Sequence, residues 1–182
     1  MREIILLKLG EVVLKGLNRR SFEDALLRNI RRRLEDLGAF DVRERQSAVF
    51  ITPLSGADLF GAQERLSKVF GVASLTRACE VEKDMDAILR AAADYLRPQL
   101  SAAKTFKVES KRSDKKFRFD SPQICARAGA YLQSEFPNLK VDVHSPEYTV
   151  RIEVRDAAAY VHGNALRGAG GIPVGTSGKA AV

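Results

Sequence analysis

Phe40-Asp41-Val42-Arg43-Glu44-Arg45-Gln46-Ser47-Ala48-Val49-Phe50-Ile51-Thr52-Pro53 is the stretch on which the fold turns. Phe40 to Gln46 and Ala48 to Thr52 read as two short strands, the second ended by Pro53. What flanks them decides the architecture. Upstream, Phe22, Leu26, Ile30, Leu34 and Leu37 fall on one face at helical spacing, and Gly38 stops that helix. Further up, Lys15-Gly16-Leu17-Asn18 reads as a turn with Asn18 as helix cap, and Ile4 to Leu9 as a buried strand. Downstream, Ala57 to Val69 reads as a helix with Leu59, Leu66 and Val69 inward, ended by Gly71, and Val72 to Val81 as a fourth strand.

The order β-α-β-β-α-β is the split βαβ or ferredoxin-like arrangement, and it closes by about residue 80. A second α/β unit then starts. Asp84 can cap a helix carrying Ile88, Leu89, Ala92 and Leu96, broken near Pro98. Thr105 to Lys111 alternates as a strand, with Phe106 and Val108 on one face. Ser121-Pro122 reads as a helix start, a capping hydroxyl followed by proline at the first helical position. Ile124, Ala128, Tyr131 and Leu132 give that helix its apolar face, and Val141 to His144, Tyr148 to Val154 and Ala158 to His162 read as strands. From Arg167 on, Gly168-Ala169-Gly170-Gly171-Ile172-Pro173-Val174-Gly175-Thr176-Ser177-Gly178 is too glycine-rich for either element and reads as a linker. The expected division is 1–80, 81–166 and a linker over 167–182, in a mixed α+β chain that is a piece of something longer.

With 182 residues, 45% hydrophobic and 29% charged, the chain has enough material for one compact domain or two small ones. No apolar run reaches the roughly 20 residues a bilayer span needs, and the apolar start is too short for a signal core. A cytoplasmic location with no membrane partner is the expectation. Cys79 and Cys125 form no CxxC pair and each reads as a small buried hydrophobe.

The net charge is +7. Seven basic residues, Lys104, Lys107, Lys111, Arg112, Lys115, Lys116 and Arg118, lie in one segment against two acids, Glu109 and Asp114. The basic residues of the first helix, Arg28 and Arg31 to Arg33, are by contrast offset by Glu23, Asp24, Glu35 and Asp36 and read as a solvated face. The basic run leaves a strand, crosses a loop and enters a helix at Ser121, where free N–H groups and the helix dipole favour an anion. Phe117 and Phe119 are interleaved with it, and aromatics beside cations suit unpaired nucleotides. A solvated loop with one Phe folded into the core fits the same residues, and the segment alone leaves both readings open. Phe119 is the expected core residue and Phe117 the expected stacker.

No catalytic constellation emerges. Gly178-Lys179 fails as a phosphate-binding loop because Pro173 stands where the first glycine belongs and Ala180 where Ser or Thr should hold Mg²⁺. Gly168-Ala169-Gly170 lacks the third glycine of a dinucleotide fingerprint. His144 and His162, the two histidines, have no clustered Cys or carboxylates for a metal and no evident nucleophile partner.

The chain nevertheless resembles, over essentially its whole length, the N-terminal part of bacterial and archaeal tRNA 4-thiouridine synthases, the ThiI-type tRNA sulfurtransferases. Lys8-Leu9-Gly10-Glu11 followed by Lys15-Gly16 and Asn18-Arg19 is similar to the family's start, and Val69-Phe70-Gly71-Val72 to the end of its ferredoxin-like domain. Lys104-Thr105-Phe106-Lys107-Val108, Arg112, Lys115, Phe117, Ser121 and Gly129 resemble the core of its THUMP domain, an RNA-binding module. Val141 to Pro146 and Val150 to Val154 continue it, and Gly168 to Gly175 resembles the family's linker. The family often has proline where Arg118 stands and Glu where Gln123 stands.

The resemblance implies a module that holds the 3′ end and acceptor stem of tRNA, with the ferredoxin-like unit as spacer, for thiolation of a uridine. On this reading the expected RNA-binding residues are Lys107, Lys111, Arg112, Lys115, Lys116, Phe117, Arg118 and Ser121: Lys111, Arg112, Lys115, Lys116 and Arg118 on phosphates, Phe117 stacking, and Ser121 capping a helix whose N-terminus can meet a phosphate. ATP and Mg²⁺ belong to a PP-loop domain and the sulfur-transferring cysteines to later segments, so no cofactor and no catalysis are expected of this chain alone. A cysteine desulfurase as sulfur donor, a homodimer and a link to thiamine synthesis are further implications. THUMP units also precede RNA methyltransferases, deaminases and pseudouridine synthases, and a scaffold or dimerisation role without RNA is a further alternative.

Overall fold

The computed structural model describes residues 1–10 and 19–176. The expected turn at Lys15 to Leu17, the Asn18 cap and the linker from residue 177 on lie outside the described residues. The chain divides into two compact units, Ile4–Arg77 with the segment from Ala165 on, and Met1–Glu3 with Ala78–Asn164.

The first unit contains β1 (Arg2–Leu9, from Ile4 on), α1 (Arg19–Leu34), β2 (Phe40–Arg45), β3 (Ala48–Pro53), α2 (Leu59–Ser67) and the first part of β4 (Val72–Val81). Its strand order is β2-β3-β1-β4, with β3 antiparallel to both β2 and β1, the pairing the β-α-β-β-α-β order requires. Arg45 pairs with Ala48, so Gln46 and Ser47 alone make the hairpin turn, both at positive φ (52° and 59°). That twist matches the strands they join. α1 and α2 cover one face: Leu26, Ile30 and Leu66 are fully buried against Ile5, Leu7, Val49 and Ile51. Each such side chain contributes roughly 1.5–3 kcal/mol of burial. Ile4, Leu6, Ala48 and Phe50, of opposite parity, are buried too, which is why these strands read as unbroken apolar runs rather than alternating ones. Asp58 caps α2, its Oδ1 accepting from Gly61 N at 2.9 Å, so this helix starts two residues later than its periodicity suggests.

The glycine-rich stretch departs from expectation. It begins inside a paired strand, β9 (Leu166–Arg167), with Leu166 opposite Leu75 and Arg167 opposite Ser74. Gly168 N then donates to Ala73 O at 2.9 Å, Gly170 N to Val72 O at 2.8 Å, and Gly71 N to Gly170 O at 2.7 Å. Asn29 Nδ2 donates to Val174 O at 3.0 Å. Far from a free linker, residues 165–176 form a strap bound to the ferredoxin-like unit. Glycine is required there because a Cβ on Gly168 would lie 2.2 Å from the Val72 carbonyl oxygen.

The second unit contains the rest of β4, then α3 (Met85–Tyr95), α4 (Arg97–Ala102), β5 (Thr105–Arg112), α5 (Ser121–Glu135), β6 (Lys140–Val141), β7 (Tyr148–Val154) and β8 (Ala159–His162), in strand order β4-β8-β7-β5-β6. β5 runs parallel to β7, as the crossover through α5 demands. Asp84 caps α3 as expected, accepting from Ala87 N at 2.9 Å. Pro98 sits in the first turn of α4, where its missing N–H costs nothing. The core gathers Ile88, Ala92, Phe106, Ile124, Leu132, Val150 and Val161 between sheet and helices. The strand expected from Val141 to His144 stops at Val141, because Asp142 Oδ1 accepts from the His144 and Ser145 amides and turns the chain.

A candidate nucleic-acid interface

The loop between β5 and α5 carries the basic run. Ser113 N donates to Val154 O at 2.9 Å, and Asp114 closes a turn by accepting the Phe117 amide on its carbonyl at 3.3 Å. The Asp114 side chain is buried, with Oδ2 2.7 Å from Lys83 Nζ and Oδ1 accepting the Lys116 amide at 2.9 Å. The Lys83 hydrogen bond, then the Lys116 amide, hold this carboxyl below its ordinary 3.8. A carboxylate with a depressed folded pKa contributes stability that is present above the unfolded value and lost as pH falls through the folded one. The loop is therefore expected to loosen only below about pH 4. Faster exchange of the Lys116 and Phe117 amides in acid would report it, and Asp114→Asn should show weak protection at every pH. An Asn variant with full protection at neutral pH would refute this.

Arg112 Nη1 donates to Phe117 O at 3.1 Å. Arg112 thus organises the loop from within. Lys115, Lys116 and Arg118 are exposed around it. Phe117 and Phe119 are both half-buried against the core, with ring centroids 6.0 Å apart and planes at 67°. The expected division into one core ring and one stacking ring is not what the loop builds: they form an edge-to-face pair. Phe119 lies under two guanidinium groups, Arg127 at 4.3 Å and Arg118 at 5.3 Å from its centroid. These rings, with Met85 and Leu89, line a groove of about 680 Å³ together with the cations Lys83, Lys116, Arg118 and Arg127 and the carboxylates Asp84, Asp86 and Asp114, of which Asp84 is engaged in capping α3 and Asp114 is paired with Lys83.

Other expected site residues lie elsewhere. Lys107 Nζ is 2.7 Å from Glu109 Oε1, and Glu109 also bonds Arg151, its cross-strand neighbour. Those cations, Lys107 first, depress the Glu109 carboxyl. By strand alternation Lys107 and Lys111 project from the face opposite Phe106 and Val108, away from the helices. Lys107 is a neutralised member of a sheet-face ion pair, and Lys111 is exposed. Ser121 is not the cap of α5. Asp120 is, in a capping box: Asp120 Oδ1 accepts from Gln123 N at 2.8 Å and Gln123 Oε1 accepts from Asp120 N at 3.0 Å. A phosphate approaching this N-terminus would meet a carboxylate already seated there. Gln123 performs the job of the Glu that the family often has.

Sequence reading missed Arg127 and Lys83. The available signal was Arg127's place on α5, three residues after Ile124 and four before Tyr131, at the edge of the apolar face. His144 is exposed in its turn, and His162 is wholly buried, Nδ1 2.8 Å from Gly163 O and Nε2 3.5 Å from Glu153 Oε1. Burial pushes the Cys79 thiol up to about 11, and Cys125 is raised by the same cause, so neither is an activated thiolate. Among the described residues no group of three or more His, Cys, Asp and Glu could hold a metal ion, and no helix is long and apolar enough to cross a membrane.

Comparison with known proteins identifies the two units. Residues 4–76 match the ThiI ferredoxin-like domain and residues 82–162 the THUMP domain. A probable tRNA sulfurtransferase of Caldanaerobacter subterraneus is 39% identical over 182 residues, covering 100% of this chain and 47% of that protein. A solved 4-thiouridine synthetase, in complex with RNA and with bound ATP, superposes with TM-score 0.83 at 27% identity, covering 97% of this chain and 44% of that one. A Pyrococcus horikoshii protein superposes with TM-score 0.84 at 27% identity, over 96% of this chain and 58% of that one. The chain spans about half the length of the curated relatives it matches. By its two domains, their order and alignments along its whole length, the chain belongs to the tRNA sulfurtransferase family and corresponds to that family's N-terminal part.

Proposed function

We propose that this chain is the tRNA-gripping portion of a tRNA uridine 4-sulfurtransferase, holding the unpaired 3′ end and the adjoining acceptor stem. The observation that carries the reading is the THUMP-domain groove, where the exposed cations Lys116 and Arg118 stand beside aromatic rings on a loop pinned by Asp114 and Arg112. Exposed cations on a fixed backbone neutralise phosphates at little entropic cost, and aromatic rings accept unstacked bases. The names of the relatives, and the RNA in the solved 4-thiouridine synthetase, support this partner. The chain's part is recognition and placement of the target uridine. ATP use, sulfur transfer from a cysteine desulfurase and the chemistry itself belong, on this reading, to the remainder of such a protein.

The test is the affinity of the chain for whole tRNA and for tRNA trimmed of its 3′-terminal single-stranded nucleotides, at two salt concentrations. Tight, salt-sensitive binding that weakens at least about tenfold on trimming is expected, since each lost stacked base is worth about 1–3 kcal/mol. Equal affinity for both would reduce the site to a general electrostatic patch and overturn end recognition.

A further inference from the structure

The ferredoxin-like unit carries a second basic cleft, of about 450 Å³, where the C-terminal ends of α1 and α2 meet the strap. Arg32, Arg33, Arg65 and Lys68 line it, with Phe70 and Val174 on its apolar wall. Charge at a helix C-terminus is favourable by itself, because it offsets the dipole. That accounts for Arg65, which bonds the Asp36 carboxylate and reaches Arg33 O at 3.4 Å. It also fits Lys68, which pairs with Glu64 at 2.9 Å. It applies equally to Arg32 and Arg33, in the last turn of α1, which differ from Arg65 and Lys68 in their pairing. Arg32 and Arg33 are exposed and have no ion-pair partner among the described residues.

Phe70 is 51% exposed beside Val174, 66% exposed. Its backbone is nonetheless fixed on both sides: Val69 N donates to Leu66 O at 3.2 Å and Gly71 N to Gly170 O at 2.7 Å. An exposed ring on a fixed backbone, lining one cleft with two guanidinium groups that have no ion-pair partner among the described residues, is a stacking platform with phosphate donors beside it.

We propose that this cleft binds one unpaired nucleotide of an RNA chain, its base on the Phe70 ring and its phosphates on Arg32 and Arg33. The proposal extends the tRNA-binding reading and makes the ferredoxin-like unit a second point of grip, more than a spacer.

The experiment uses the whole chain, a short unstructured uridine oligonucleotide and whole tRNA. On adding the oligonucleotide, the methyl resonances of Val69 and Val174 should shift. Arg32→Ala with Arg33→Ala should weaken its binding about tenfold at low salt and flatten the log-affinity slope by roughly 1.4, from about 0.7 per single-strand phosphate. Phe70→Ala should weaken it about fivefold or more, with Phe70→Tyr restoring it. All these side chains are exposed, so loss of folding does not confuse the result.

Silent resonances, or unchanged affinity in both variants, overturn the proposal, as does a loss confined to the arginine variant with Phe70→Ala silent. If Lys115→Ala with Lys116→Ala weakens tRNA binding and the cleft variants do not, the tRNA reading stands and this site falls. If the oligonucleotide binds at the cleft but tRNA does not bind the chain, this site stands and the tRNA reading falls.

Discussion

Replacing Gly71 with alanine is expected to destabilise the ferredoxin-like unit by roughly 2–4 kcal/mol and to lower its melting temperature by about 10 °C or more. Two costs combine. The residue sits at φ +98°, where a side chain is strained by about 1–2 kcal/mol. Its new Cβ would also lie 2.9 Å from Pro173 Cγ and 3.2 Å from Leu26 Cδ1. Leu26 is fully buried and packed, so Pro173 must give way, and with it the strap that accepts the Gly71 amide at Gly170 O. Gly56 separates the two costs, since it has φ +76° and no atom within 4 Å of its would-be Cβ. Gly56→Ala should therefore lose only about 1 kcal/mol. Thermal melts of both variants give the comparison, and limited proteolysis between residues 168 and 176 reports the strap. A Gly71→Ala chain as stable as Gly56→Ala, with an uncut strap, would show that the contact is absorbed elsewhere.

Removing the exposed loop charge should have the largest effect on RNA affinity. Lys115→Ala, Lys116→Ala and Arg118→Ala together are expected to weaken tRNA binding roughly 10- to 100-fold at low salt. The slope of log affinity against log salt should flatten by about 2–3, near 0.7–0.9 per lost phosphate contact. The melting temperature should hardly move, because these side chains are exposed. Lys107→Ala is expected to change affinity less than about twofold, because Glu109 already neutralises that ammonium on the other face of the sheet. Arg112→Ala should act differently again, loosening the loop through its lost bond to Phe117 O. A triple variant with unchanged affinity and slope would remove the loop from the interface.

Sequence and structure agree where local chemistry decides. The Phe40 to Pro53 hairpin, the Leu26–Ile30–Leu34 stripe and the Asp84 cap were legible because short strand-forming runs ended by turn residues, helical periodicity and capping depend on near neighbours. So was the concentration of cations after β5. The assignments that shifted depended on competing groups. Ser121 and Asp120 both offer a capping oxygen at α5, and the carboxylate takes the place because Gln123 completes its box. Phe117 and Phe119 were indistinguishable in the sequence; packing paired them. Arg31 to Arg33 read as a solvated stripe because neutralising acids lie nearby in sequence, yet Asp36 is taken by Arg65 from another helix.

The sequence by itself determined the α+β order of elements, the apolar faces of the helices and the position of the basic loop, because each is set by side-chain pattern over a few turns of chain. Only the tertiary structure decided which cations are available to a ligand and that the glycine-rich stretch is a strap. Availability depends on which carboxylate comes within about 3 Å, and the strap on which carbonyls stand opposite the Gly168 and Gly170 amides; both are set by residues far apart in sequence.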